Sequence, residues 1–484
     1  MNNVQTVSIL PEEFNKSVFT FYLILFGILS FSGFGYLLWK GKFLYLGLIA
    51  SIPMVLLLVS RPKLAVGQYI FVLFISRSVL EGQPWLYADL SGFIVIAAAM
   101  LDLVSESKLH ERLPRLSFNF LFLLAVVFTA GVFSYQPEAA LRPFGRITLL
   151  FLHFLALYRL SGKVSVAWSL NLFFILSVVH SIIVLIPFVA SGGTLRSFGL
   201  APVIFDELAM LALVVATAKF LWAEKGTAWI YLLGMVVIFF ALLSTQSRAP
   251  IIIGVAMSIL VIFLSRRRAR QELAKASPET GNISSEELSR VRIRPLYLLV
   301  GLLFSVILVV MLYPQLLAPL FVRFESLLTT SPSGSFLSRI VLWKLAWSLF
   351  IDNPLVGIGP GLFIQIQSVL PTIRLDVYHL YLRGLSAHNL LLHYLAEAGI
   401  IGGVAVLAMM LNQLRLSYRA WRASVLRPNF EVSAVLLGIG ATLLVTTLAE
   451  SGWLWGQSSI IFVFFISLIS RNHNNLIISN NSRS

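Results

Sequence analysis

Apolar residues along this chain come in long runs rather than in the alternating patterns of soluble helices or strands. Each run extends over roughly 17 to 25 residues, which is long enough to cross a hydrocarbon core about 30 Å thick. A transmembrane β-barrel would instead alternate apolar and polar residues at every second position. The pattern therefore predicts an all-α, polytopic transmembrane helical bundle.

Windows of about 19 residues divide the runs into separate predicted spans. These spans cover residues 19–39, 43–60, 64–80, 87–104, 117–134, 147–160, 169–190, 201–222, 228–244, 249–265, 296–313, 388–412, 432–448 and 455–470. Some neighbours are separated by only a few residues, as at Arg61-Pro62-Lys63, and such pairs can merge or be re-entrant. The expected number of membrane helices is therefore roughly 12 to 14.

The charge of the polar segments predicts how the bundle is oriented. Segments 265–295 and 415–430 are the richest in Lys and Arg, and even numbers of predicted spans separate them from each other and from both termini, so all should be cytoplasmic. Residues 1–313 then hold the first eleven predicted helices and the 265–295 loop. Residues 314–387 form a large outward-facing loop subdomain of short helices, and residues 388–484 hold the C-terminal membrane helices and a cytoplasmic tail.

Composition narrows the possible partners. Of the 484 residues 58% are hydrophobic and 12% are charged, which is more apolar than a soluble domain of this length. The net charge of +15 lies between the spans, so it indicates contact with anionic membrane lipids and the positive-inside bias, and no nucleic acid is expected as a partner. The absence of cysteine excludes disulfides and thiol chemistry. The first residues lack the pattern of a cleaved signal peptide, so we expect the first span to be retained.

Several arginines fall in predicted outward loops, against the usual topological bias. They are Arg142, Arg146, Arg196, Arg248 and Arg339. Such an excess suggests a shared anionic ligand, although each arginine alone is equally explained by capping a helix end or reaching lipid phosphates. Arg248 is the most unusual, because the turn STQSRAP that carries it is very short and joins two strongly apolar helices. It should point along the bundle axis.

His388 opens the segment SAHNLLLHYLAEAGIIGG, which starts a predicted membrane helix. The positive end of the helix dipole disfavours a charged imidazole there, which suits a general base. The alternative is that His388 and Asn389 only cap the helix. His393 lies roughly 140° further round the helix, so the two histidines should not share a face. Without a zinc-binding spacing such as HExxH, no metal ligand is expected among them.

The segment before His388 predicts an amphipathic helix that ends at a glycine-rich turn. The apolar contacts of an interfacial helix would come from Ile340, Trp343, Leu345, Trp347 and Phe350. Asp352-Asn353-Pro354 should end this helix, and GIGPG (357–361) lacks the Lys-Ser/Thr ending of a phosphate-binding loop, so its glycines are interpreted as turn residues. Only one adjacent carboxylate pair, Asp206-Glu207, lies on the outer side. A metal-independent site in which arginines neutralise phosphate is therefore expected, without a cofactor.

Three blocks together resemble the O-antigen ligase and polymerase superfamily of bacterial inner-membrane glycosyltransferases. They are STQSRAP, SRIVLWKLAWSLFIDNPLVGIGPGLF and SAHNLLLHYLAEAGIIGG, and the resemblance is specific over roughly residues 245–405. It implies that Arg248, Arg339 and His388 carry the chemistry on the periplasmic face of the membrane. Arg142, Arg146, Arg196, Asn389 and Glu450 are further candidates for substrate binding, and the arginines and Glu450 match no family motif.

The resemblance also implies the substrates. The donor would be a glycan on undecaprenyl diphosphate, and the acceptor would be a sugar hydroxyl of lipid A-core for a ligase, or of a growing glycan for a polymerase. The shared blocks do not separate these two activities. A transporter or flippase for lipid-linked glycan is a third hypothesis, but transporters usually show internal repeats and polar residues at the bilayer midplane, whereas the unusual residues here gather at one membrane face.

Overall fold

The computed structural model describes most of the chain outside its N-terminal part. The described residues are 53–74, 86–106, 113–192, 204–223, 225–275, 311, 335–365, 385–424, 430–449 and 458–481. Within these ranges every regular element is an α-helix and no strand occurs. The all-α class predicted from the apolar runs is therefore confirmed.

The helices follow the apolar runs closely. In chain order they are α1 (Pro53–Ser60), α2 (Pro62–Leu73), α3 (Leu86–Glu106), α4 (Leu116–Val132), α5 (Pro137–Ala140), α6 (Arg142–Leu160), α7 (Val166–Ala190), α8 (Phe205–Trp222), α9 (Lys225–Ser244), α10 (Arg248–Lys275), α11 (Ser335–Asp352), α12 (Leu390–Ala423), α13 (Phe430–Thr446) and α14 (Ser458–Asn481). Helices α10 and α12 are longer than predicted, because they continue into the basic segments 265–295 and 415–430. Their apolar parts are thus extended by charged turns.

Six helical segments among the described residues are long and apolar enough to cross a membrane. They are Pro137–Leu160, Val166–Ala190, Gly226–Ser244, Arg248–Arg267, Leu390–Ala423 and Ser458–Ile477. The chain is therefore a multi-pass membrane protein. The predicted span 19–39 and nearly all of 296–313 lie outside the described residues, so a total of roughly 12 to 14 helices stays a prediction.

The first described helices belong to the predicted spans 43–60 and 64–80, of which residues 53–60 and 64–74 are described. Helices α1 and α2 meet at Arg61 with a bend of 111°, as in a broken span or a re-entrant loop. Pro62 is the first residue of α2, and its ring excludes continuation of α1 through this point. With 12 residues, α2 is too short to cross a bilayer alone. The boundary predicted between the two spans is therefore confirmed, and the bend fits the merged or re-entrant pair that was expected at this point.

Helix α8 is the central helix of the bundle, with nearly every residue from Phe205 to Leu221 buried. It packs against α7, α9, α10 and α13. Lys219 near its C-terminal end forms an ion pair with Glu431 at the start of α13, with 2.6 Å between Nζ and Oε1. The ammonium group of Lys219 is buried, so it would be left uncompensated without the partly exposed carboxylate of Glu431.

Helices α10 and α13 pack against each other in antiparallel orientation. Trp222 donates a hydrogen bond to Ser265 Oγ at 3.2 Å and contacts the ring of Phe430 at 4.6 Å, so the late part of α10 lies beside the start of α13. Further along, Gly438 packs so closely that an added Cβ would lie 2.5 Å from Val261. The start of α10 therefore lies at the same end of the bundle as the end of α13.

Helix α11 and the glycine-rich turn form a small second core with the start of α12. Leu342, Ala346 and Leu349 supply a buried stripe that packs against residues of the turn such as Ile358 and Phe363. The five residues predicted to make apolar contacts lie beside this stripe: four are half-buried, and Trp347 is 50% exposed. Of these five residues, Leu345 packs against the second core, while the buried stripe makes much of the helix's contact with the protein.

Candidate functional site

Three backbone carbonyls in the turn after α13 bring together residues of α11 and of the start of α12. Arg339 Nη1 donates to Ala449 O at 3.1 Å, Asn389 Nδ2 donates to Leu448 O at 3.3 Å, and Leu390 N donates to Thr447 O at 2.8 Å. The last carbonyls of a helix have no partner within the helix, so such donors satisfy them. We call this meeting point of α11, α12 and α13 the carbonyl junction.

His388 lies immediately beside the carbonyl junction, in a strained backbone conformation. Its φ is +48°, in the left-handed region that few residues other than glycine adopt. Asn389 is the N-cap of α12, and its Oδ1 accepts a hydrogen bond from Leu392 N at 3.0 Å. The sequence predicted His388 in the first turn of the helix. The structure places it before the helix, next to the N-cap. A left-handed residue that the surrounding structure maintains in this way is typical of functional sites.

Arg248 lies at the same end of the bundle as the carbonyl junction. From the contact between Val261 and Gly438, the antiparallel helices α10 and α13 extend about 20 Å to Arg248 and about 17 Å to Ala449. Arg248 is the first residue of α10, and the turn before it contains Gln246 with a φ of +53°. The structure thus places Arg248, Arg339 and His388 at one end of the bundle, which we call the His388 end.

The second-rank candidates have different surroundings. Arg142 is exposed at the first turn of α6, next to Pro143, which packs against Gly361 of the glycine-rich turn. Arg146, one turn further on, forms an ion pair with Asp89 of α3. The side chain of Asn389 is engaged at both its oxygen and its nitrogen within the protein. Arg196 and Glu450 lie outside the described residues.

The GIGPG turn replaces a missing turn inside α12. At Ala398 and Gly399 the backbone leaves the helical region, which frees the carbonyls before the kink. Ile358 N donates to Ala396 O at 3.0 Å, and Gly359 N donates to Glu397 O at 2.9 Å. On the other side of the kink, Ile400 N donates to Pro354 O at 2.8 Å. The turn interpretation of the glycines agrees with this geometry, and the turn holds α11 against α12 close to His388.

Glu397 is a buried residue of this region that the sequence analysis did not identify. Its Oε1 accepts a hydrogen bond from Phe363 N at 3.0 Å, and its Oε2 lies 3.4 Å from His393 Nε2. The Glu397 and His393 side chains are 0% and 2% exposed. In the sequence, only the i, i+4 spacing of His393 and Glu397 pointed to this contact, because it places both side chains on one helix face. His393 thus contacts Glu397 and the Phe363 ring, and the pair fastens the glycine-rich turn to α12.

Metal-ligating side chains do not gather at this site in the described part of the chain. No group of three or more His, Cys, Asp or Glu residues is close enough there to hold a metal ion. The described charged groups at the His388 end include the guanidinium groups of Arg248 and Arg339, which can bind phosphate oxygens in bidentate fashion. They also include the carboxylates of Asp206 and Glu207 at the start of α8, since Met210 packs against Gly254 near the start of α10.

We expect Gly399→Ala to destabilise the protein by about 1–3 kcal/mol. Gly399 has a φ of +64°, and an added Cβ would collide with the Leu355 carbonyl, so the contact between the turn and the kink would be lost. Thermal unfolding in detergent measures the effect as a lower Tm. Gly145→Ala in α6 is the matched control, because no atom lies within 4 Å of the added Cβ. Equal Tm values for the two variants would contradict the importance of the kink.

The helices and the residues at the His388 end together define a multi-pass membrane protein with arginines and a histidine at one end of its helices. Residues 233–407 match the family model described as O-antigen ligase. The match covers roughly a third of the chain. It contains Arg248, Arg339 and His388, and also Asn389 and Leu390, which donate to the carbonyl junction. It confirms the resemblance to the O-antigen ligase superfamily over this segment, and it supports an enzyme of the O-antigen ligase or polymerase type. A search of curated proteins found no match.

Proposed function

We propose that the protein is an O-antigen ligase that transfers a glycan from undecaprenyl diphosphate to a sugar hydroxyl of lipid A-core. The observation that carries this proposal is the carbonyl junction, where Arg339 and the residue next to His388 bind successive carbonyls of one turn. Both residues lie in the segment that matches the family. A cation for the diphosphate and a base for the acceptor are thus held on one rigid support.

In the proposed reaction the acceptor hydroxyl oxygen forms a bond to the anomeric carbon of the donor sugar. The bond from that carbon to the diphosphate oxygen breaks, and undecaprenyl diphosphate leaves with the electron pair. His388 accepts the hydroxyl proton as general base. Arg339 and Arg248 stabilise the negative charge that grows on the leaving diphosphate, without a metal ion or cofactor. Arg142, Arg146, Arg196, Asn389 and Glu450 are proposed to contribute to substrate binding.

We place the protein in the bacterial inner membrane, and the distribution of arginines supports an orientation with the His388 end in the periplasm. At the other end of α12, Arg415, Arg419 and Arg422 are all exposed in its last turns. Basic residues at membrane boundaries favour the cytoplasmic side. The opposite end, with His388, is then the periplasmic one, where a lipid-linked glycan would meet lipid A-core.

A polymerase that extends the lipid-linked glycan is the second candidate, because the same junction would serve a different acceptor hydroxyl. Transport of lipid-linked glycan is the third. We favour transfer over transport, since Arg339 and Asn389 bind a turn at the end of the bundle and not at its centre.

Deletion of the gene, followed by electrophoresis of lipopolysaccharide, tests the proposal. Loss of a ligase should leave lipid A-core without O-antigen and polymer retained on the carrier lipid. Core that carries a single repeat would instead identify a polymerase. Unchanged lipopolysaccharide would contradict both activities. Complementation with the intact gene is the control, and it should restore the full ladder of glycan lengths.

A further inference from the structure

A cavity of about 220 Å³ lies at the other end of α12 from His388. Its walls come from three parts of the chain: Arg115 at the start of α4, Arg419 in the last turns of α12, and His473, Leu476 and Ile477 at the end of α14. About 45 Å of helix separates it from the His388 end. The cavity is therefore outside the proposed active site.

Two arginines without acidic partners give this cavity its charge. Among the described residues, neither Arg115 nor Arg419 makes a salt bridge or a side-chain hydrogen bond, and both act electrostatically on the buried imidazole of His473. By contrast, Arg159 in the same bundle has a carboxylate partner, with 2.7 Å between its Nε and Asp102 Oδ2. Because both guanidinium groups are exposed, they can bind an anion without first losing a partner.

The remaining walls of the cavity are apolar and lie at the boundary of the membrane. The candidate span of α14 ends at Ile477, which is 37% exposed, and Leu476 beside it is buried. The phosphates of lipid head groups lie at this level of a bilayer. Pockets that bind whole small molecules have volumes of about 300–1,000 Å³. This cavity is smaller, so it suits a phosphate group better than a glycan.

We propose that this cavity binds the phosphate of an anionic phospholipid between Arg115 and Arg419. The planar guanidinium groups bind the phosphodiester oxygens, and the first methylene groups of the acyl chains lie along Leu476 and Ile477. Inorganic phosphate offers the same kind of oxygen acceptors but lacks the apolar contact. The lipid should therefore bind more tightly than the free ion.

Native mass spectrometry of the full-length protein in detergent tests this proposal. With equal amounts of dioleoyl phosphatidylglycerol and dioleoyl phosphatidylcholine, the protein should retain phosphatidylglycerol preferentially. Arg115→Gln with Arg419→Gln should lower that retention about tenfold or more, since each basic residue near a lipid surface contributes several-fold. Arg422→Gln is the matched control, because Arg422 is exposed one turn away and does not line the cavity.

Two outcomes would overturn the proposal: unchanged phosphatidylglycerol retention in the double variant, or loss of the lipid to an equal concentration of inorganic phosphate, which would identify a site for free anions only. If the double Gln variant does not fold, Arg115→Lys with Arg419→Lys keeps the charge and removes bidentate binding. That variant should retain phosphatidylglycerol several-fold less than the wild type, and retention equal to the wild type would also contradict the proposal.

Discussion

Replacing Arg339 with alanine should lower glycan transfer by about 10²- to 10³-fold, as the loss of one preorganised charge-stabilising group does in other enzymes. The guanidinium is held at the carbonyl junction by its bond to Ala449 O. A cation fixed there requires no rearrangement as the diphosphate charge develops. Transfer from carrier-linked glycan to lipid A-core, measured with purified protein and followed by electrophoresis, gives the rate.

Loss of the Ala449 contact must be separated from loss of the charge. Arg339→Gln retains an N–H donor for the carbonyl but removes the charge, so we expect its rate to fall nearly as far as that of the alanine variant. Lys344→Ala on the same helix is the matched control, because Lys344 is exposed and lies away from the junction. A fully active Arg339→Gln variant would remove the arginine charge from the mechanism.

Replacing His388 with asparagine should lower transfer by about 10²- to 10⁴-fold, the usual contribution of a general base. Asparagine tolerates a positive φ better than most residues, so the backbone at +48° should be preserved while the basic imidazole is lost. The Tm should therefore change little while the rate falls. The same transfer assay and thermal unfolding in detergent measure the two quantities.

His388→Gly distinguishes backbone conformation from chemistry at the same position. Glycine adopts a positive φ without strain, so this variant should be as stable as the wild type or more stable, and still inactive. If either the asparagine or the glycine variant transferred glycan at the wild-type rate, His388 would have no acid-base role. The His388-Asn389 pair would then serve only to begin α12.

The pattern of apolar residues was sufficient to predict most of the described helices, but it did not show where they break. The difference is clearest at α12, which reads as one apolar run in sequence. Its kink at Ala398 and Gly399 exists because amide groups of the GIGPG turn occupy the carbonyls before it. Hydropathy cannot report a hydrogen bond that comes from residues about 40 positions away.

Some residues of the candidate site were chosen from the sequence, and others were found only in the structure. Arg248, Arg339 and His388 were chosen from the sequence by their unusual positions and by the family resemblance, and their roles stay predictions. Glu397 was not chosen, although it is fully buried and binds Phe363 N. Its importance depends on a partner in another part of the chain. Arg146 was chosen for its position in a predicted loop. Its partner Asp89 also comes from another part of the chain, so the sequence did not show the ion pair.

The sequence by itself determined the all-α class and the approximate positions of the described membrane helices. The physical reason is that a segment crossing lipid must satisfy its own backbone hydrogen bonds, so a long apolar run has to be helical. The tertiary structure alone decided which helix ends meet. Arg339 and Ala449 are 110 residues apart and come into contact only because α11, α12 and α13 pack in one register. That register depends on hydrogen bonds and close packing between residues far apart in the sequence, such as the bond from Leu390 N to Thr447 O, which no local pattern contains.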